Sequence, residues 1–489
     1  MTTQFDAEYD IIIVGAGASG LSAAVEAVKN GNSVAVLEKL DSVGGRGQFV
    51  EGSTAFESDE QKKRGIEVTR AQGFKALMDE SQWRANADVV SAFVHNAAHT
   101  IRKLSDIGAV WEDVTIYAYE QESELKTMHW AEGEGARIIE LMEKAARDGG
   151  AEIYLNTAAV KLLTEGGRVV GLEAKDADGQ VLQLGAKAVI LAGGGYASSP
   201  EMMEKHSWYG KNARYLVDLG TPGNTGDGLN MAVAVGGATA ETGSVLLMPV
   251  AKDKTITSHV SGAGSQPYLW VNTSGRRFTD EVVAMNFSDA ANVIAQGDQG
   301  TSFTIFDDAT KKHLETAGSD IGLGTFIPYH AQLNKMDAEL EQDLVTGTAA
   351  KADTIEELAK AIGVPAEALA ATVARYNELA AAGSDDDFYK PAKYLRSIEQ
   401  APFYAVRMVA GTLVSVGGIK VNGNLQVIAD GTTDAIPGLY AVGAEASGIY
   451  GDTYPLTVPG NISGFSYTSG WLAADHAASQ IAAEPALTR

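Results

Sequence analysis

Three glycines spaced by two and three residues, Gly15, Gly17 and Gly20, follow the apolar run Ile11, Ile12, Ile13 and Val14, with Ala18 and Ser19 between the last two. A turn of this kind carries backbone N–H groups to the start of a helix, where unpaired donors and the helix dipole favour an anion such as a pyrophosphate. Gly15 supplies the tight turn, Gly17 the close approach to the ligand and Gly20 the contact of helix with strand. Glu38 stands 18 positions after Gly20, at the tip of the next strand. A carboxylate there accepts hydrogen bonds from an adenosine ribose and favours a 2′-hydroxyl over a 2′-phosphate. The chemistry expected is that of a bound dinucleotide, and NAD and FAD both satisfy it.

These residues need a strand, a turn, a helix and a second strand in that order. Residues 11–14, 15–20, 21–29 and 33–37 read that way by their hydrophobic pattern. Helical patterns continue over 87–104 and 136–147, and short alternating segments follow at 151–154 and 169–174. A buried strand at 188–191 runs into Gly193 and Gly194. From about residue 244 the texture changes to short strands and loops, followed by an acidic helical stretch at 353–379 in which Pro365 marks a helix start. After Pro402, strands are expected at 418–421 and 439–442, and an Ala-rich helix at 471–483. The expected fold is α/β: a Rossmann-like dinucleotide domain over 1–245 and 400–489, interrupted by an inserted α+β capping domain over 246–399.

The chain has 489 residues, 45% of them hydrophobic, enough for two packed units. A formal charge of −25 opposes nucleic acid or an anionic membrane surface as a partner. With no cysteine, thiol catalysis, disulfides and iron–sulfur clusters are excluded from this chain, so electrons travel on an organic cofactor. The first ten residues lack a positively charged leader and the apolar run after them is too short to cross a bilayer; a cytoplasmic protein without membrane insertion is expected. The 8 histidines show no pair at a ligand spacing, and no metal is expected.

Several further motifs resemble the flavoprotein family of soluble fumarate reductases, succinate dehydrogenase flavoprotein subunits and 3-ketosteroid dehydrogenases, over nearly the whole chain. Glu38 and Lys39 followed by Gly44, Gly45 and Gly47 look like the family's path from ribose to flavin. Residues 188–196, with Gly193 and Gly194, look like its second glycine strand. Thr225, Gly226, Asp227 and Gly228 match its flavin loop, and residues 272–281 (NTSGRRFTDE) the entry to the substrate domain. Gly417, Gly418 and Ile419 with residues 436–443 match its C-terminal flavin motif, and Gly443, Glu445, Gly460, Asn461 and Ile462 are expected to hold the cofactor with it. The resemblance implies FAD as the cofactor and a substrate held against it between domains. Members that attach FAD covalently do so through a histidine, and residues 51–57 (EGSTAFE) contain none, which implies noncovalent FAD.

The same resemblance locates departures. Met285 falls where fumarate reductases place a proton-donating arginine, and Val414 or Ser415 where they place a carboxylate-binding histidine. Residues 449–455 (IYGDTYP) look instead like the ketosteroid dehydrogenase segment in which a tyrosine touches a ketone, which makes Tyr454 the leading acid candidate. Tyr119 is a second, and Arg46, between two glycines of the flavin segment, could stabilise reduced flavin or a substrate oxygen. A pocket lined by Tyr, Met, Val and Ser suits a cyclic, largely apolar ketone. The reaction expected is hydride transfer between flavin N5 and a carbon near that ketone, in the reducing direction, with an isoflavonoid such as tetrahydrodaidzein or an enone as substrate. Steroid desaturation, a fumarate-type reduction and a non-catalytic flavin protein are the alternatives. No second glycine-rich βαβ unit offers NAD(P)H its own domain, so the electron donor or acceptor is an outside molecule, whether nicotinamide, another flavoprotein or a quinone.

Overall fold

The computed structural model describes residues 4–116, 125–324, 326–452 and 454–483. The strand Ala7–Val14 and the strand Val34–Leu37 flank the helix Ala18–Lys29, as the glycine turn requires. They pair in parallel, Ile11 opposite Val34 and Val14 opposite Leu37. On the other side Ala7–Val14 pairs in parallel with Val181–Leu191, which pairs in parallel with Ala435–Ala441. Val14, Leu37, Leu191 and Ala441 therefore end together along one edge of an eight-stranded sheet. The sequence order of the strands reverses between Ala7–Val14 and Val181–Leu191. In such sheets ligands bind beyond the carboxyl ends at that reversal.

Ile11, Ile12 and Ile13 are fully buried, as are Val189, Ile190 and Leu191. A strand covered on both faces reads as a continuous apolar run, and these do. The helix Ala18–Lys29 and the C-terminal helix Asn461–Ala483 pack against each other and against these strands. That helix starts ten residues before the expected position, in a stretch rich in Ser and Gly that has little helical propensity of its own. Burial overrides propensity here: Ser463, Gly464, Phe465, Tyr467 and Gly470 all face the interior.

A second, six-stranded sheet carries the opposing wall. Its middle strand, Phe403–Ser415, pairs with Val217–Asp218, Val245–Ala251, Thr301–Asp307 and Ala349–Ala352. This strand lies beyond the boundary expected at residue 400. We propose a division by sheet membership, which gives residues 403–415 to the inserted unit. The acidic helical stretch forms two helices, Ile355–Ile362 and Ala366–Ala382, and Pro365 caps the second. Among the described residues no helix is long and apolar enough to cross a membrane.

The two covering helices meet through glycine. A Cβ on Gly470 would collide with the Ser22 hydroxyl and the Ser19 carbonyl oxygen, and would sit 3.0 Å from the Ala23 nitrogen. Gly470→Ala should therefore cost roughly 1–3 kcal/mol of stability, the usual range for overpacking a tight contact, measured as a lowered urea midpoint.

Candidate functional site

A cleft of about 740 Å3 opens at the carboxyl edge of the first sheet and is closed on its far side by the second. Gly15, Gly17, Ala18, Ser19, Glu38, Lys39, Gly45, Gly47, Gly193, Gly194, Asp227, Gly460 and Ile462 line it, together with Arg46 and Tyr454.

The glycines of the turn differ in what they are needed for. Gly15 has a positive φ of 102°, and a Cβ there would lie 2.5 Å from the Ala192 carbonyl oxygen. Gly20 packs against the Gly15 carbonyl, so a Cβ there would drive helix from strand. At Gly17 a Cβ would meet no protein atom nearer than the Gly44 carbonyl oxygen, 3.9 Å away, and would stand in the cleft. Space kept open by a glycine at a helix N-terminus fits a pyrophosphate pressed against the backbone.

Around that turn the chain is tied by hydrogen bonds. The Gly44 N–H donates to the Ala16 carbonyl at 2.8 Å, which lays residues 44–47 beside the turn. The two oxygens of Glu38 accept from the N–H groups of Ala16 and Leu40, both at 2.9 Å. Lys39 Nζ reaches Thr225 Oγ1 and Asp227 Oδ2, each at 2.5 Å, joining the second strand to the loop of residues 225–228.

Gly20, Gly44, Thr225, Gly443, Glu445 and Asn461 stand behind the lining, although the sequence pattern marks them with the rest. Glu445 is buried and accepts from the Gly193 N–H. Gly443 donates its N–H to Ser469 Oγ at 2.9 Å. Asn461 Nδ2 donates to the carbonyls of Pro455 and Val458, at 2.7 and 2.9 Å, and so fastens the loop that carries Tyr454 to the start of the C-terminal helix. Tyr454 lines the cleft at 4% exposure. Its ring stacks on Tyr450 with centroids 6.3 Å apart, and its oxygen lies 3.5 Å from the Ile462 N–H in the first turn of that helix. Tyr119 lies outside the described residues.

Arg46 is held rather than free. Its guanidinium pairs with Asp218 at 2.7 Å and donates to Ser198 Oγ at 2.8 Å, to Asn224 Oδ1 at 3.1 Å and to the Leu413 carbonyl. Burial pulls the group below its usual range, and Asp218 opposes the shift. Arg46 thus bridges the first sheet's turn to two strands of the second sheet's wall. Asp218, Ser198 and Asn224 carry no motif, and their one signal in the sequence is position near Gly194, Gly220 and Gly223.

The wall facing the dinucleotide half carries Leu246, Met248, Ile256, Phe287, Phe326, Leu413, Val414 and Leu456, with Asp253, Lys254, Thr255 and Thr257 as its polar part. Met285 packs against the core and does not line the cleft, and Ser415 accepts from the Tyr196 N–H at 2.8 Å, also behind the lining. Among the described residues no group of three His, Asp or Glu side chains is arranged to hold a metal ion.

Residues 10–458 match the FAD binding domain family. The chain belongs to that family. It is 34% identical over 491 residues to the vinyl phenol reductase of Lactiplantibacillus plantarum, a match covering 98% of each chain. Over 474 residues it is 27% identical to a fumarate reductase (cytochrome) of Shewanella frigidimarina, covering 96% of this chain and 77% of the other. The 3-ketosteroid delta1-dehydrogenase of Sterolibacterium denitrificans shares its fold, with a TM-score of 0.81 at 21% identity over 97% of this chain and all of that one. The chain is an FAD-dependent oxidoreductase, and the resemblance carried by its motifs holds. FAD is the cofactor of the family, and the open space at Gly17 fits its pyrophosphate.

Burial raises the Glu445 carboxyl from 4.5 to about 7, while the Gly193 N–H works in the lowering direction. The folded state then holds the proton more tightly than the unfolded chain, so stability is highest at low pH within that window and falls as pH rises from 4.5 to about 7. Glu445→Gln should flatten that part of the urea-midpoint profile of the FAD-free protein; a profile unchanged by the substitution would assign the slope elsewhere.

Proposed function

We propose that this enzyme reduces a carbon–carbon double bond conjugated to an oxygen-bearing ring, as in a cyclic enone, an isoflavonoid ketone or a vinyl phenol. The observation that carries the reading is the apolar, aromatic wall opposite the dinucleotide half, where Val414 and Leu413 stand among Leu246, Met248, Phe287 and Phe326. A dicarboxylate would meet one cation on that wall, Lys254, already paired with Asp343, and would leave at least one of its charges unpaired against apolar side chains, at a cost of several kcal/mol. A flat ring loses nothing there, and Phe287, Phe326 and Tyr454 offer it faces and edges. The 34% identity to a vinyl phenol reductase over the whole chain supports a reductive direction and an aromatic substrate.

Bound and reduced, FAD would supply a hydride to one carbon of the double bond, the other carbon taking a proton, so that two C–H bonds would replace one π bond. Tyr454 is the proton donor. The N–H of Ile462, at the start of a 23-residue helix, favours the negative charge left on the Tyr454 oxygen. Arg46 acts through its bridge, holding the flavin segment against residues 217–224 and 412–413. The residues proposed to hold FAD are the glycines of the cleft with Glu38, Lys39 and Ile462, backed by Thr225, Gly443, Glu445 and Asn461. With no histidine at 51–57, the attachment is noncovalent.

The deciding experiment is anaerobic: the FAD-loaded protein is reduced with dithionite and offered cyclohexenone, an isoflavonoid ketone, 4-vinylphenol, fumarate or a 3-ketosteroid. Reoxidation of the flavin by the ring compounds and not by fumarate is expected. Reoxidation by fumarate alone would overturn the reading, and activity only with a saturated steroid and an artificial acceptor would reverse its direction. Tyr454→Phe should keep FAD and lose roughly 10²-fold or more in turnover, the usual worth of a positioned acid; unchanged turnover would remove Tyr454 from the reaction.

A further inference from the structure

The cleft carries three cations among its described lining residues: Lys39, Arg46 and Lys254. Lys39 and Arg46 belong to the dinucleotide half and are paired with Asp227 and Asp218. Lys254 is different. It follows the strand Val245–Ala251 and stands on the wall that faces the first sheet, beside Ile256 and near Phe326 in the same lining. Its Nζ lies 3.1 Å from Asp343 Oδ1, and the two side chains are 17% and 2% exposed. Asp343, in the helix Met336–Thr346, does not line the cleft, whereas Lys254 does.

An ammonium has three N–H donors, and Asp343 occupies one. The other charged groups of the neighbourhood are already committed. Asp253 pairs with Lys252 at 2.5 Å, Glu339 accepts from the backbone N–H groups of His259 and Val260, and His259 Nδ1 accepts from the Lys335 N–H. Largely shielded from water, a cation with donors to spare attracts an anionic oxygen more strongly than the same group in bulk water.

We infer that Lys254 binds the ionised oxygen of a phenolic substrate ring and so selects phenolates over neutral ring compounds. The inference rests on the reading that the substrate is an oxygen-bearing ring, and adds which form of that oxygen is bound and by what. Asp343 is then a positioning residue: buried behind the wall, it fixes the ammonium toward a ring lying against the apolar face. Tyr454 and Lys254 take separate tasks, one at the reacting double bond and one at the ring oxygen.

The test uses the oxidised, FAD-loaded protein and 4-hydroxybenzaldehyde, a phenol without a reducible carbon–carbon double bond, whose ionisation is read from its near-ultraviolet difference spectrum. The bound phenol should ionise at least about one pH unit lower than the free compound, a tenfold shift in its equilibrium. Lys254→Arg should retain the shift. Lys254→Met alone leaves Asp343 buried without its partner and risks misfolding, so Lys254→Met with Asp343→Asn is the second variant; with FAD content intact it should lose the shift. No binding, no shift in the natural protein, or a shift kept by the double variant overturns the inference, and so does tighter binding of 4-ethylbenzoate than of 4-ethylphenol, which would put a carboxylate at Lys254. In turnover, the preference for 4-vinylphenol over its methyl ether, read as the ratio of KM values, should fall about tenfold or more in the double variant. A natural protein that reduces neither compound overturns the substrate reading itself, while the spectral shift still decides the role of Lys254.

Discussion

The site depends on backbone packed directly against backbone at the carboxyl edge of the first sheet. Gly15 turns under the Ala192 carbonyl, Gly20 sits on the Gly15 carbonyl, and Gly470 sits on the Ser19 carbonyl and the Ser22 hydroxyl, so strand, first helix and last helix nest at close range. That nesting is what brings residues 460–462 to a cleft begun by residues 14–20. The hydrogen bonds of Asn461 to Pro455 and Val458 then fix the loop bearing Tyr454, and a side chain more than 400 positions from the glycine turn becomes its neighbour. Gly17 belongs to the same turn but answers to a different demand, since protein leaves the space beside it empty and the cofactor's pyrophosphate fits there.

The inserted unit is held by charge. Arg277 bonds Glu281 and Asp385, each at 2.7 Å, and Lys390 reaches Glu281 at 3.3 Å and the Tyr376 hydroxyl at 2.7 Å, with the carboxylates and the lysine fully buried. Despite burial, which raises it, the Asp385 carboxyl is held down at about 2, by the Arg277 hydrogen bond and the N–H groups of Lys390 and Phe388; burial brings Lys390 down to about 8. A buried network of this kind is strongly destabilised by loss of any one member, because a charge is then left without a partner. It locks the segment 272–281 to the turn 385–390, and so fixes one end of the second sheet whose other end walls the cleft.

Different parts of the molecule were legible in the sequence for different physical reasons. The strands at 11–14 and 188–191 and the turn between strand and helix are local, governed by hydrophobic runs and by glycine, and they stand where the pattern puts them. The strand Phe403–Ser415 was not expected; buried almost throughout, it shows no polar alternation to distinguish it from a buried helix, and its four partners come from distant parts of the chain. The start of the C-terminal helix was missed because packing against the first helix outweighs the poor propensity of its Ser and Gly. At the site, the glycines and Glu38 announce themselves by spacing, whereas Arg46 reads as a lone cation until the fold supplies Asp218, Ser198 and Asn224. Lys254 and Asp343, 89 positions apart, carry no motif at all.

The two halves of the cleft are thus built from different materials, with different tolerance for change. The dinucleotide half is made chiefly of backbone, whose donors and close approaches are the same whatever the neighbouring side chains, so it binds one cofactor and accepts little variation. The opposing half is made of side chains on a second sheet that the buried ion network holds from behind. Exchanging the side chain at Val414 alters neither the turn nor the nesting of the helices, because Val414 presents a face to the cleft from the second sheet. The side chains that face the substrate half can therefore change while the turn and the nesting of the helices stay fixed.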